Sequence, residues 1–353
     1  MKDNKEISRR ELLRLMGVVS VSAVLSACNA KTSTPDPTAV PSVTGTHTSN
    51  VNPPSSLIKE TQADVQNTPE KLVSPMGSAT PAPPDAAYLS AIHGEDAATV
   101  TAAAIAAIGG IERFVKSGQN VVIKPNICTD YYPYEYAATT NPEVVAILVR
   151  LCLGAGASRV RVMDHPFGGT SESAYARSGI GDAVALAGGE MEIMNRNKYQ
   201  ILEIPEGLSI KESSFYKPFL DADVIINVPI AKHHRLARLT LGGKNFLGVI
   251  GYPAAMHSDL GQRVADLVSK VRPHLTVVDA IRTLMNNGPT GGDLNDVRLT
   301  NMVVASHDIV AADAYAATLF GLQGSDIGYI QAAANMGLGS MDLDSIKLEE
   351  YTL

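Results

Sequence analysis

Tryptophan is missing from this 353-residue chain, and aromatic residues make up only 5% of it. A sugar-binding groove lined by stacked rings therefore has little to be built from. Cysteine is nearly as scarce: Cys28, Cys128 and Cys152, with no Cys-x-x-Cys spacing. That excludes a thiolate zinc ribbon and leaves an iron–sulfur cluster without its ligands. No HExxH, EF-hand loop or G-x-G-x-x-G dinucleotide fingerprint occurs. Gly242-Gly243-Lys244-Asn245 is not a P-loop, because Arg238 stands where the first glycine belongs and Asn245 where the hydroxyl belongs. Positive charge is short as well. The formal charge is −7, and residues 1–27 carry Lys2, Lys5, Arg9, Arg10 and Arg14 against Asp3, Glu6 and Glu11, so residues 28–353 are more acidic still. Such a body repels phosphate backbones, and nucleic acid is not an expected partner.

What the chain does carry begins with an address. Ser8-Arg9-Arg10-Glu11-Leu12-Leu13-Arg14 resembles the twin-arginine export motif. The apolar run from Leu15 to Ala27 is shorter than the roughly 18–20 residues that cross a bilayer. Leu25-Ser26-Ala27-Cys28 resembles a lipobox. Together these predict an export signal over 1–27, read by the export machinery through Arg9 and Arg10. They also predict a lipid on Cys28 that anchors the protein to the outer face of the cell membrane. Export by the twin-arginine route, which generally carries folded proteins, hints at a bound cofactor or metal. Residues 28–86 are rich in Thr, Ser and Pro and read as a disordered tether, since they cannot bury enough apolar surface to offset their ordering entropy.

From residue 87 to 353 strand-like and helical patterns alternate, with hydrophobic residues at 45% of the whole chain. "QNVVIKPNI", "SRVRVMD", "DADVIINVPI", "HLTVVDAI" and "NMVVASHD" read as strands. "NPEVVAILVRLCLGAGA", "DLGQRVADLVSKV" and "IVAADAYAATLFG" read as helices. Val/Ile-rich strands alternating with helices predict an α/β domain: a mostly parallel sheet flanked by helices on both faces. Cys152 lies in an apolar helical run and reads as core, although an oxidising compartment would allow a Cys128–Cys152 disulfide.

In such sheets ligands bind beyond the carboxyl ends of the strands. Five strand ends bring chemistry with them: Lys124-Pro125-Asn126, Asp164-His165, Asn227 leading to Lys232-His233-His234, Asp279, and Ser306-His307-Asp308. Running parallel, they would gather at one edge. Two readings of this edge stand side by side. In one, Lys124, Lys232 and Lys244, with Arg235 or Arg238 and the amides of a glycine loop that includes Gly291, surround a small anion, while Asn126 and Asn245 orient it. In the other, His233 joins Asp164 and His165 around a divalent metal ion. His233, with Asp164 or Asp279, is the candidate general base, since imidazole titrates near neutral pH. Asp164 and Asp308 also sit where helix caps sit, and the glycine loop where a plain turn would. The aromatic, polar segment 129–140 is placed to close over the edge as a lid. A non-catalytic lipoprotein that binds the same ligand or metal is the alternative to an enzyme.

Five segments taken in order, "VVIKPNI", "GASRVRVMD", "DADVIINVPIAKHH…LTLGGKNFLG", "LTVVDAI…GPTGG" and "ASHDIVAADA", resemble the domain of unknown function 362 family. The most specific block is Lys232, His233, Lys244, Asn245 and Gly248. The resemblance implies a shared site at these positions and names no reaction. Some members carry ferredoxin-like modules, whose cysteines this chain lacks.

Overall fold

A computed structural model describes Pro83 and residues 85–353. The chain divides into two units, Met1–Pro69 and Glu70–Leu353, and every described residue belongs to the second. The export signal with Arg9 and Arg10, the lipidation residue Cys28 and nearly all of the 28–86 tether lie outside the described residues.

The valine and isoleucine runs form one ten-stranded, mostly parallel sheet. Its strands are β1 (Leu89–His93), β2 (Asn120–Pro125), β3 (Arg159–Val162), β4 (Glu190–Met191), β7 (Val224–Val228), β8 (Ile230–His234), β9 (Arg238–Thr240), β10 (Leu275–Leu284), β11 (Val297–Ser306) and β12 (Leu348–Thr352). The order across the sheet is β12-β1-β11-β10-β7-β2-β3-β4, with β8 added on β10 and β9 on β8. A separate hairpin joins β5 (Tyr199–Glu203) to β6 (Glu212–Tyr216). Side chains alternate across the sheet, so Val121 and Ile123 face one apolar core while Val122 faces the other. Helices α1 (Ala97–Ala107), α2 (Pro142–Gly154) and α4 (Ile180–Leu186), the last following α3 (Ser171–Arg177), cover the first face. Beyond the short α5 (Lys217–Leu220) and α6 (Gly242–Asn245), helices α7 (Leu260–Val271), α8 (Ile309–Thr318) and α9 (Gly328–Asn335) cover the second. Lys124, two residues on from Val122, belongs to this second face. No helix among the described residues is long and apolar enough to cross a membrane.

Two expectations about strand ends meet a different geometry, while the reading of Cys152 as core agrees with the structure. β11 pairs antiparallel with both β1 and β10, so Ser306-His307-Asp308 lies at the opposite edge from the other four strand ends. There Asp308 caps α8, accepting from the Val310 and Ala311 amides at 2.8 and 3.0 Å. β10 does not stop at Asp279. It runs on to Leu284, because β8 takes over from β7 as its neighbour, with Ile230 opposite Asp279. Lys232, His233 and His234 are therefore strand residues rather than loop residues. Cys128 and Cys152 are both free and buried. Cys152 sits on α2, and burial pushes its thiol up to about 12.

The second face is fastened by Asp266 of α7, which is fully buried. Its carboxylate accepts from the backbone amides of Leu208, Ser209 and Ile210 at 2.8–2.9 Å, and from Gln262 Nε2 at 2.9 Å. It thereby ties the β5–β6 turn to the helix layer. Asp266→Ala takes the acceptor from three part-buried backbone amides and is expected to cost on the order of 2 kcal/mol in urea denaturation. A loss below about 0.5 kcal/mol, the level of an ordinary surface change, would contradict this role.

Candidate functional site

The carboxyl ends of β2, β3 and β7, with β8 beside them, bring three lysines and one carboxylate into the second core. Lys124 is completely buried. Its ammonium donates to Asp164 Oδ1 at 2.6 Å, to Pro125 O at 2.9 Å and to Asn245 Oδ1 at 3.0 Å. Lys232, 1% exposed, donates to Ala138 O at 2.6 Å, Asn126 Oδ1 at 2.9 Å and Pro289 O at 3.0 Å. An ammonium has three protons, so both groups are saturated. Burial pulls the Lys124 ammonium below its ordinary range, and Asp164 pushes it back up.

Asn126 and Asn245 link these two lysines. Asn126 Nδ2 donates to Asn245 Oδ1 at 2.9 Å while its own Oδ1 accepts from Lys232. Asn245 Nδ2 donates to Lys124 O at 3.1 Å and to Asn227 Oδ1 at 2.9 Å, and Asn227 Nδ2 donates to Gly242 O at 3.1 Å. Each amide thus both gives and receives.

Lys244 differs. It is 9% exposed, and its ammonium reaches no hydrogen-bond acceptor or carboxylate among the described residues. Burial, and then the nearby charges of Lys232 and Lys124, push it down to about 8, with the Cys128 thiol as a weaker opposing neighbour. Cys128 itself donates to Ala138 O at 3.2 Å. Lys244 is carried by α6, whose first two amides, Gly242 N and Gly243 N, donate to Asp313 of α8 at 2.6 and 2.8 Å. Asp313 is fully buried by its helix, which pushes its carboxyl up to about 7. Asp313 and Asn227 set where Lys244 and Asn245 stand; Asn227 is one of the strand-end residues legible in the sequence, and Asp313 is not. The signal for Asp313 is a carboxylate within a buried, alanine-rich helix.

Gly248 explains the end of the Lys-Asn-x-x-Gly pattern. A Cβ there would lie 1.9 Å from Asp164 Oδ1 and 2.8 Å from Lys124 Nζ, so only glycine lets the chain pass the ion pair.

Other candidate residues are placed elsewhere or already engaged. Asp164 is not a helix cap, since Thr170 caps α3. Its Oδ1 accepts from Lys124 and from the His165 amide at 2.8 Å, and its Oδ2 from the Ile127 amide at 2.6 Å. Asp279 accepts from the Asn141 and Ile281 amides at 2.7 and 3.0 Å, which fixes the start of α2 against β10. Burial pushes it up to about 6. The Gly291 amide donates to Asn287 O at 3.1 Å, so it offers no N–H to an anion; Pro289 O is the atom of this loop that reaches the cluster. His233 Nδ1 accepts from the Gly288 amide at 3.1 Å. His234 Nδ1 accepts from the Leu236 and Ala237 amides at 3.1 and 3.2 Å. In both rings the proton of the neutral form is therefore left on Nε2, which opposes a role as base or metal ligand through either nitrogen. Burial, with Lys244 and Lys232 nearby, pushes His234 down to about 3, so it stays neutral.

Among the described residues no three His, Cys, Asp or Glu side chains are grouped to hold a metal ion. The donor set of Asp164, His165 and His233 does not fit one, because Asp164 is bonded to the Lys124 ammonium and two backbone amides and His233 has its Nδ1 occupied. His165 Nδ1 and Thr139 Oγ1 are buried without a partner among the described residues. The 129–140 segment closes over the cluster through Ala138 O on Lys232 and Thr140 Oγ1, which donates to Val228 O at 2.9 Å. Tyr132 and Tyr136 stack within it, and Arg282 of β10 lies over Tyr134. On the side of His233 and His234, a cavity of about 560 Å³ is lined by Arg235, Arg238, Arg298 and Phe320.

The architecture is a mixed α/β domain with a lysine-rich, amide-linked cluster buried at the carboxyl edge of its sheet. The chain belongs to the family described as Domain of unknown function (DUF362), which matches residues 121–318. Among curated relatives, Thylakoid-associated protein sll1697 of Synechocystis sp. (strain ATCC 27184 / PCC 6803 / Kazusa) is 29% identical over 248 residues, 65% of this chain and 72% of that protein. Among solved structures, the lactate racemase apoprotein from Thermoanaerobacterium thermosaccharolyticum overlaps with a TM-score of 0.40 at 11% identity. That overlap covers 64% of this chain, and the chain spans 56% of that protein's length.

Gly248→Ala is expected to force Asp164 away from Lys124 and to cost on the order of 3 kcal/mol, because a buried charge loses its partner. Urea denaturation checks it, and a stability equal to the parent's would show that the close approach constrains nothing.

Proposed function

We propose that this protein holds a small carboxylate- or phosphate-bearing molecule at the exposed end of Lys244, in an enzyme-like site. One observation carries the reading: three buried lysines lie within electrostatic reach of one another, Asp164 is bonded to Lys124 alone of the three, and the Lys244 ammonium has no hydrogen-bond or ion-pair partner among the described residues. A buried cation without a counter-ion is costly, and an anion supplied from solution removes that cost. Lys124 and Lys232 contribute their field rather than their protons, since each already makes three hydrogen bonds. The arginines beside His233 attract acids toward this end of the domain.

The protein that carries this site is, in the same proposal, exported and tethered by lipid on Cys28 to the outer face of the membrane. The support is the Arg9-Arg10 motif followed at signal-peptide spacing by Leu25-Ser26-Ala27-Cys28. The relative's description as thylakoid-associated agrees with a protein that works at a membrane.

The charge imbalance gives a pH signature. Lys244 titrates lower in the folded than in the unfolded chain, so between pH about 8 and the ordinary lysine range the unfolded state binds more protons. Without added anion, stability is expected to rise across that window by roughly 3 kcal/mol. Phosphate is expected to raise the melting temperature below pH about 8 and to lose that effect above it, as Lys244 gives up its charge. Lys244→Met is expected to be at least as stable as the parent near neutral pH and to ignore phosphate. Scanning calorimetry with phosphate or oxalate decides: an equal response in parent and variant would remove Lys244 from the site.

A further inference from the structure

The geometry points to Lys244 as a carbonyl-condensing nucleophile, whose free amine forms an imine with a small 2-oxo acid or aldehyde acid held in the cluster. The inference rests on the anion-binding reading above and gives that ligand a chemical class. It starts from a contrast among three lysines in one core. Lys124 and Lys232 each donate three hydrogen bonds, and deprotonating either would leave one buried acceptor without a donor and facing the amine lone pair. They are held as cations. Lys244 donates none among the described residues, so losing its proton breaks nothing.

The surroundings favour that loss. The groups facing Lys244 are Lys232 from β8, Lys124 from β2 and the Cys128 thiol that follows β2. His234 lies within electrostatic reach and stays neutral. Two fixed cations and burial act together, which is the arrangement that prepares a lysine amine to attack carbonyl carbon near neutral pH. α6 cannot swing Lys244 away freely, because Asp313 pins its first two amides and Asn245 is bonded on both sides.

The same charges select the substrate. A neutral ketone gains nothing from Lys124 and Lys232, whereas the carboxylate of a 2-oxo acid, adjacent to the carbonyl, is drawn toward both. His234, which lies within electrostatic reach of Lys244, also lines the cavity of about 560 Å³ bordered by Arg235, Arg238 and Arg298, so basic side chains that attract acids stand on that side of the cluster. The step balances without any redox partner. The Lys244 nitrogen bonds to the carbonyl carbon, and the carbonyl oxygen leaves as water. That water carries one amine proton and one proton from solvent, and the iminium keeps the other N–H. The product is cationic, so the site retains its charge and the substrate carboxylate keeps its attraction. Cations held around an iminium also favour loss of a proton from the neighbouring carbon, the usual consequence of such an adduct.

The test uses the folded, full-length protein with glyoxylate and sodium cyanoborohydride near neutral pH, followed by peptide mass mapping. Lys244 is expected to be carboxymethylated faster than exposed lysines such as Lys116 and Lys347 by on the order of tenfold or more. Phosphate, competing for the cluster, is expected to slow that labelling and to leave the exposed lysines unaffected. Lys244→Arg is expected to lose the fast site. The labelling contrast within the parent stands even where that variant folds poorly. Labelling of Lys244 no faster than that of exposed lysines would overturn the inference. If phosphate still raised the melting temperature of the parent in that case, the anion site would survive and only the amine chemistry would fall. If phosphate also had no effect, both readings would fall together.

Discussion

Lys124, Lys232 and Lys244 are buried within electrostatic reach of one another, only Lys124 is paired with a carboxylate, and the rest of the site is arranged around that imbalance. Asp164 offsets one charge, at 2.6 Å from Lys124 and almost fully out of water. Lys232 is kept by three carbonyl-type oxygens, a neutral cage that satisfies its protons without cancelling its charge. Asn126 and Asn245 stand between the two lysines and hold them in register. Polar networks of this kind are costly when incomplete, because every lone atom in them has left water without a substitute. Among the described residues, the lysines and asparagines of this network are all satisfied except the Lys244 ammonium. The open cation on α6 is the feature on which the anion-binding proposal rests.

The fold produces this by ending several parallel strands together and replacing one of them partway. β7 stops at Val228, and the chain turns into β8 along the remaining length of β10. That handover puts Lys232 over the end of β2, where Asn126 meets it. The chain then returns through β9 into α6, whose four residues are Gly242, Gly243, Lys244 and Asn245. The glycines are needed where α6 docks: a Cβ on Gly242 would sit 2.7 Å from Asp313 Oδ1. Gly248 is needed where the chain passes Asp164. One buried aspartate on each side, Asp164 and Asp313, therefore fixes the position of the lysine between them.

Much of this arrangement was legible in the sequence, and what was not has a physical reason. Lys124, Asn126, Lys232 and Asn245 each follow or end an apolar strand or turn, and the rule that parallel strands present their carboxyl ends to one edge is enough to group them. Asp279 misled because periodicity cannot tell a strand that ends from one that changes partner; β10 continues under β8 and its aspartate became an anchor for α2. His307 was grouped with the others only by assuming that β11 runs parallel, and it runs the other way. His233 looked like a ligand as a residue type, but its availability depends on Gly288, a residue 55 positions away that bonds its Nδ1. Asp313 was invisible for a similar reason, and Gly248 entered only through the family resemblance: the role of each is defined by what it nearly touches.

The most direct measurement of the central claim is the location of an anion in crystals of the protein soaked in bromide, read from its anomalous scattering. The account predicts bromide at hydrogen-bonding distance from Lys244 Nζ, and none at Lys124 or Lys232, whose protons are all in use. Bromide absent from Lys244, with its nitrogen instead bonded to a protein carboxylate or carbonyl, would show that the charge is balanced from within and that nothing needs to bind there.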